Sequence, residues 1–136
     1  MQVNPYVFFN GNCEDALNFY HDALGAQTHM LMRYSDSPEP GNNPPGSDKL
    51  IMHARVQIGD SVVMFSDAVM GEPVKHDGFS LSIGSKDVAQ AQRMFDALAA
   101  GGEVQMPFAK TFWSPGFGML KDKFGIAWMV NVETQM

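Results

Sequence analysis

"IMHARVQIGDSVVMFSDA", Ile51 to Ala68, reads as two strands joined at Gly59–Asp60. A two-residue Gly-Asp turn between alternating runs fixes the register of a hairpin. Ile58 then pairs with Ser61, Val56 with Val63, and Ala54 with Phe65, a mostly apolar set that needs a helix over it. The opposite face pairs Gln57 with Val62, Arg55 with Met64, and His53 with Ser66. A face mixing polar and apolar groups in this way suits a ligand-binding concavity.

Working outward, two helices are expected. In "NCEDALNFYHDALG", Asn12 is placed to cap with Asp15 at N3, an apolar stripe runs from Ala16 to Leu24, and Gly25 stops the helix. In "SKDVAQAQRMFDALAAGG", Ser85 or Asp87 caps, Val88, Ala91, Phe95 and Leu98 recur at helical spacing, and Gly101–Gly102 end it. The remaining strand-like runs are "YVFF", "THMLMRY", "FSLSI", "EVQMPF", "FGMLK" and "IAWMVN". In order the chain reads β-α-β-β-β and then the same again, so a duplicated βαβββ module is expected, module one over about 1–68 and module two over about 76–134. The fold class is α+β, the two modules together forming a cupped mixed sheet within a single domain, 1–136.

Alternation in "IAWMVN" puts Ile126, Trp128, Val130 and Val132 under a helix and Ala127, Met129 and Asn131 on the other face. In "FSLSI" the same rule puts Phe79, Leu81 and Ile83 under a helix and turns Ser80 and Ser82 toward the concavity. The Pro-rich stretch 35–48 holds four prolines and no large apolar side chain, so it reads either as an exposed linker or as a lid over a cleft.

Nine Lys and Arg against fifteen Asp and Glu, with no basic stripe or tail, argue against nucleic acid or an anionic membrane as partner. No apolar run approaches the ~18 residues of a membrane span. The N-terminus lacks a signal-peptide pattern, and one cysteine, Cys13, rules out an internal disulfide; a cytoplasmic protein is expected.

The stretches "NPYVFFNGNCEDALNFYHDALGA", "IMHARVQIGDSVVMFSDA" and "TFWSPGFGMLKDKFGIAWMVN", taken with the duplication, resemble the vicinal oxygen chelate superfamily. That group includes glyoxalase I, bleomycin-resistance proteins and extradiol dioxygenases, and the likeness is strongest to its PhnB-like branch. The resemblance implies two modules that curl into cups, a homodimer, and in many members a divalent metal held by His, Glu or Gln. Carried over position by position, the metal ligands fall on Pro5, Met64, Gly78 (or Phe79 in a shifted register) and Met129. None of these side chains suits a hard cation, so no metal and no other cofactor is expected.

The resemblance and the face assignments together place a small-molecule pocket at Val7, Phe9, His53, Arg55, Met64, Ser66, Trp113, Phe117 and Met129. Arg55 is suited to a carboxylate, phosphate or phosphonate and His53 to proton relay, while Asp67 is an internal partner that would satisfy Arg55 without a ligand. His21, His29 and His76 show no spacing that converges on His53, and Cys13 has no neighbouring base. Whether a reaction is catalysed is left open. The competing functions are a metal-dependent lyase, isomerase or dioxygenase with an atypical site, and an antibiotic-sequestering binder of the bleomycin-resistance kind.

Overall fold

The computed structural model describes residues 1–39, 41 and 43–134. Pro40 and Asn42 of the Pro-rich stretch, and Gln135 and Met136 at the end of the expected domain, lie outside the described residues. The chain divides into two compact units, Met1–Val74 and Lys75–Met136. Each follows the expected βαβββ order, and each builds one four-stranded mixed sheet with one helix.

The first unit holds β1 (Tyr6–Phe9), α1 (Cys13–Leu24), β2 (Gln27–Arg33), β3 (Ile51–Ile58) and β4 (Ser61–Asp67), with a 3-10 turn at Tyr34–Asp36. Strand order is β1-β4-β3-β2, and only β1 and β4 run parallel. The β3–β4 ladder runs from Ala54–Phe65 to Ile58–Ser61 in the register set by the Gly59–Asp60 turn. Gly59 sits at φ 58°, a left-handed conformation that glycine takes without a Cβ clash. Alternate residues Val63 and Phe65, with Ala54 and Val56, are buried against the apolar stripe of α1, where Ala16, Leu17 and Tyr20 are also buried. Each large side chain so buried contributes ~1.5–3 kcal/mol.

Helix α1 ends on Gly25 at φ 69°, as expected. Its start departs from expectation. Asn12 makes no side-chain cap, and the acceptor comes instead from the far end of β4. Asp67 Oδ1 accepts the N–H groups of Gly11 (2.9 Å) and Cys13 (3.0 Å), and Oδ2 accepts that of Ile51 (2.9 Å). One buried carboxylate therefore ties the helix N-terminus to the start of β3, a role favoured by the positive end of the helix dipole. The expected Arg55–Asp67 pairing fails for a geometric reason. Asp67 shares parity with Val63 and Phe65 on the helix side, whereas Arg55 points to the opposite face.

The second unit holds β5 (Leu81–Ser85), α2 (Val88–Ala99), β6 (Glu103–Ala109), β7 (Phe117–Lys121) and β8 (Ala127–Val132), ordered β5-β8-β7-β6. Asp87 caps α2, accepting from the N–H groups of Ala89 (2.9 Å) and Gln90 (3.2 Å). Ile126, Trp128, Val130 and Val132 are buried, as parity required. Gly118 lies under the helix where an added Cβ would stand 2.6 Å from the Phe95 ring and 2.9 Å from the Phe108 backbone, so only glycine fits. Strand β5 starts two residues later than expected. Phe79 consequently precedes it and is exposed, its ring meeting the His76 ring edge-on at 6.3 Å, so it is not a core residue.

Buried Asp122 organises the β7–β8 turn, accepting from the N–H groups of Phe124 and Ile126 and from Trp128 Nε1 (2.9 Å). Buried Ser114 stands 2.7 Å from the carbonyls of both Gly116 and Val132, and its Oγ accepts the Gly116 N–H. The Thr111–Gly116 loop is thereby pinned to β8, with Phe112 and Trp113 at its tip.

Candidate functional site

In the first unit α1 covers one sheet face, and the alternate residues of every strand populate the other. Tyr6, Met64, Arg55 and Met30 form one row across β1, β4, β3 and β2. Phe8 pairs with Ser66, and His53 with Met32, in the next. His53 and Arg55 stand two residues apart on β3, so both point to this face.

Tyr6 joins these groups into a site. Its hydroxyl lies 2.8 Å from His53 Nδ1, and its ring stacks on Phe8 at 4.8 Å. Burial raises the phenol's pKa above the usual tyrosine range, against a hydrogen bond from Ser66 that lowers it. Ser66 is itself buried, its Oγ 3.4 Å from the Ile51 carbonyl and 3.3 Å from that of Asp67. Arg55 is exposed and has no ion-pair or hydrogen-bond partner among the described residues. Arg33, by contrast, is matched with Glu14, which holds that carboxyl below its ordinary range.

His53, Arg55, Met64 and Ser66 are thus brought together on one face. Phe9 and Val7 are not, because both are core residues under α1 and Phe9 packs on Phe65 at 5.9 Å. The parity assumed for β1 is one residue out, and Tyr6 and Phe8 take the open face. Trp113, Phe117 and Met129 belong to the second unit. Phe117 and Met129 lie on the face of its sheet away from α2, with Met119, Asn131 and Ser82. The Trp113 ring, 49% exposed, meets Phe117 edge-on at 5.4 Å.

The same register revises the positions onto which the family resemblance carries metal ligands. The residue of β1 opposite Met64 is Tyr6, not Pro5, and that of β5 opposite Met129 is Ser82, not Gly78 or Phe79. Each sheet offers one thioether and one neutral hydroxyl there. That donor set does not fit Mg²⁺, Mn²⁺, Fe²⁺ or Zn²⁺, which take carboxylate, imidazole or thiolate. The histidines have separate partners: His21 donates to the Ala26 carbonyl and His29 to Gln57 Oε1, both at 2.8 Å. Cys13 is fully buried at the start of α1, and desolvation raises its thiol far above the ordinary value, beyond any use as a nucleophile.

A cavity of about 310 Å³ lies elsewhere in this unit, between Asn10, Pro44–Ser47, Leu50, Ala68, Val69 and Gly71–Pro73. Residues of the Pro-rich stretch form one wall of it. Among the described residues, Glu72 is the charged side chain that lines it.

The family described as 3-demethylubiquinone-9 3-methyltransferase matches the chain over residues 1–131. Protein YjdN of Escherichia coli (strain K12) is 39% identical, the match covering 99% of this chain and 97% of that one. The crystal structure of protein PA1353 from Pseudomonas aeruginosa is 43% identical, with a TM-score of 0.88 and 99% of each chain covered. A putative 3-demethylubiquinone-9 3-methyltransferase, PhnB protein, from Bacillus cereus is 24% identical over 98% of this chain and 100% of that one, with a TM-score of 0.81. For the fold alone, a glyoxylase/bleomycin resistance protein/dioxygenase domain from Frankia sp. EAN1pec superposes with a TM-score of 0.71 at 13% identity, 98% of each chain being covered.

Proposed function

The chain belongs to the 3-demethylubiquinone-9 3-methyltransferase family, a PhnB-like branch of the vicinal oxygen chelate fold, and from that premise we propose that it binds a small organic anion on the open face of its first sheet. The observation that carries this is Arg55, a guanidinium without a partner among the described residues, on a sheet face whose row neighbours are Tyr6, Met64 and Met30. Arginine grips carboxylate or phosphonate through paired N–H bonds, His53 adds a second polar contact, and the methionines and Phe8 take up the organic part. Binding here needs no divalent metal, and the donor set at the revised positions supports that.

The family's description names a methyl transfer, and for this chain that description is its only support. A doubly wound nucleotide-binding sheet carries a glycine-rich phosphate loop between its first strand and helix. The corresponding junction here is Asn10-Gly11-Asn12, and the N–H groups of Gly11 and Cys13 are already given to Asp67. A cytoplasmic homodimer is part of the same reading, resting on the family resemblance, and sedimentation velocity checks the dimer.

Phenylphosphonate and benzoate, with neutral benzamide as control, test the reading by thermal shift on wild type and Arg55→Ala. Both anions are expected to raise the wild-type melting temperature, with affinity about 10–100-fold weaker in the variant. Equal responses in the two proteins, or none in either, sink it. Stoichiometric tightly bound Zn²⁺, Ni²⁺ or Mn²⁺ in purified protein would overturn the metal-independent part.

A further inference from the structure

Where the parallel strands β1 and β4 end, the chain leaves the first sheet in two directions. β1 passes through Asn10 and Gly11 into α1, and β4 passes through Ala68 into the connection that follows. The cavity of about 310 Å³ opens between these two exits, and Pro44–Ser47 with Leu50 close another side. It shares no lining residue with the row of Tyr6, Met64, Arg55 and Met30.

The Pro-rich wall is tethered. Tyr34 and Ser35 donate their N–H groups to the carbonyls of Leu50 and Asp48, and the Asn43 side chain donates to that of Tyr34 (2.7 Å). Buried Ser47 closes the turn by donating its N–H (3.2 Å) and its Oγ–H (2.6 Å) to the Pro44 carbonyl. The cavity is therefore preformed, as ligand sites usually are.

A donor count decides what it takes. Pro44, Pro45 and Pro73 have no N–H, and those of Gly11, Ser47, Leu50 and Ala68 are spent on Asp67, Pro44, Ser47 and Phe9. The positive end of α1 is matched by the Asp67 carboxylate rather than left for an anion. No lysine or arginine lines the cavity among the described residues, whereas Glu72 stands there with no hydrogen-bond or ion-pair partner among them. The Asn10 amide, fixed in orientation by its two bonds to Val74, is neutral. Walls short of donors and carrying an uncommitted carboxylate select a guest that brings donors and positive charge. The net charge of −6 concentrates such guests near the chain.

We propose that this cavity binds a compact organic cation, an ammonium group on an apolar body the size of a single ring. The ammonium pairs with Glu72, and the ring packs on Leu50, Val69 and the prolines. The volume, at the small end of ligand cavities, sets that size. The site does not rest on the Arg55 reading and has the opposite charge preference.

Three probes separate charge from shape: cyclohexylammonium carries both, methylammonium the charge alone, and cyclohexanol the body alone. NMR titration of the ¹⁵N-labelled full chain, at about 0.15 M salt to screen loose attraction to surface carboxylates, gives each affinity and its place on the sequence. Cyclohexylammonium is expected to shift the amides of Gly46, Ser47, Val69 and Glu72 together. It is expected to bind about tenfold more tightly than methylammonium, through its apolar body, and about threefold more tightly than cyclohexanol, through the ion pair. Glu72→Gln, at an exposed position, is expected to bring cyclohexylammonium to the level of cyclohexanol. Val69→Trp, which fills the cavity, is expected to remove binding of both ring probes. Equal binding of the two ammonium probes by wild type, shifts confined to other amides, or no binding overturns the proposal, and so does a cation preference that survives Glu72→Gln. If the tryptophan variant fails to fold, the wild-type comparison and the glutamine variant decide. No probe is an anion, so failure here and failure of the Arg55 reading are separately visible.

Discussion

Tyr6 links β1 to β3 on the open face of the first sheet through His53. Burial raises the phenol's pKa, and its hydroxyl shares a 2.8 Å hydrogen bond with His53 Nδ1 whose direction is set by the imidazole tautomer. Tyr6→Phe removes that bond, which is expected to change the two imidazole nitrogen shifts by NMR, with anion affinity falling about threefold to tenfold. Linkage gives a sign as well. The unfolded chain loses the Tyr6 proton at a lower pH than the folded one, so the contribution from this group is intact below the ordinary tyrosine range and is lost as pH climbs through the raised folded value. Cys13 gives a cleaner case. Its thiol is buried at the helix start and held protonated, so the native protein is expected to react with a disulfide reagent at neutral pH on the order of a hundredfold more slowly than the urea-unfolded chain. Comparable rates would show that α1 opens readily. At this scale the sequence spoke unevenly. His53 and Arg55 were readable because a two-residue turn set their parity. Tyr6 was not, because "YVFF" is apolar on both faces and only the parallel pairing with β4 reveals which side faces the helix.

Among the elements, α1 is the one whose stability is supplied from elsewhere. Its N-terminal N–H groups and that of Ile51 converge on Asp67, so Asp67→Ala leaves three donors without their acceptor. The expected loss is on the order of 3–5 kcal/mol, with melting about 10 °C lower or more, measured by chemical and thermal unfolding. Asn12→Ala is the matched control and is expected to be nearly silent, since Asn12 makes no cap. This division marks the limit of local reading. Asp87 was legible as a cap because it lies next to the helix it serves. Asp67 serves one that begins 54 residues earlier, and no spacing rule reaches that far. Asp122 escaped notice likewise, its main partners being backbone groups within a turn and the Trp128 indole. The strands of the second unit were legible except β5, where "FSLSI" alternates just as well two residues early.

At the level of the whole chain, the duplicated order was visible because both helices carry strong apolar stripes and both final hairpins carry tight turns. The connection between β4 and β5, from Ala68 to Ser80, contains no strand or helix, and its Met70 is 76% exposed. A side-chain clamp helps to restrain it. The Asn10 side chain donates to the Val74 carbonyl (2.9 Å) and accepts the Val74 N–H (2.6 Å). Asn10→Ala removes both bonds, and limited tryptic cleavage at Lys75 in the native protein is expected to speed up about tenfold. An unchanged rate would mean that the connection is held by other contacts. The cavity beside Glu72 belongs to what no sequence could disclose, since a cavity is defined only by everything that surrounds it.

The matching ladders carry one last consequence. Tyr6, Met64, Arg55 and Met30 in one sheet occupy the addresses that Ser82, Met129, Met119 and Met106 occupy in the other. The two modules thus share one grid and differ in its contents, the cation in one being a sulfur in the other. The second copy serves as the first copy's blank, showing what the scaffold tolerates at the Arg55 address once a positive charge is not wanted there.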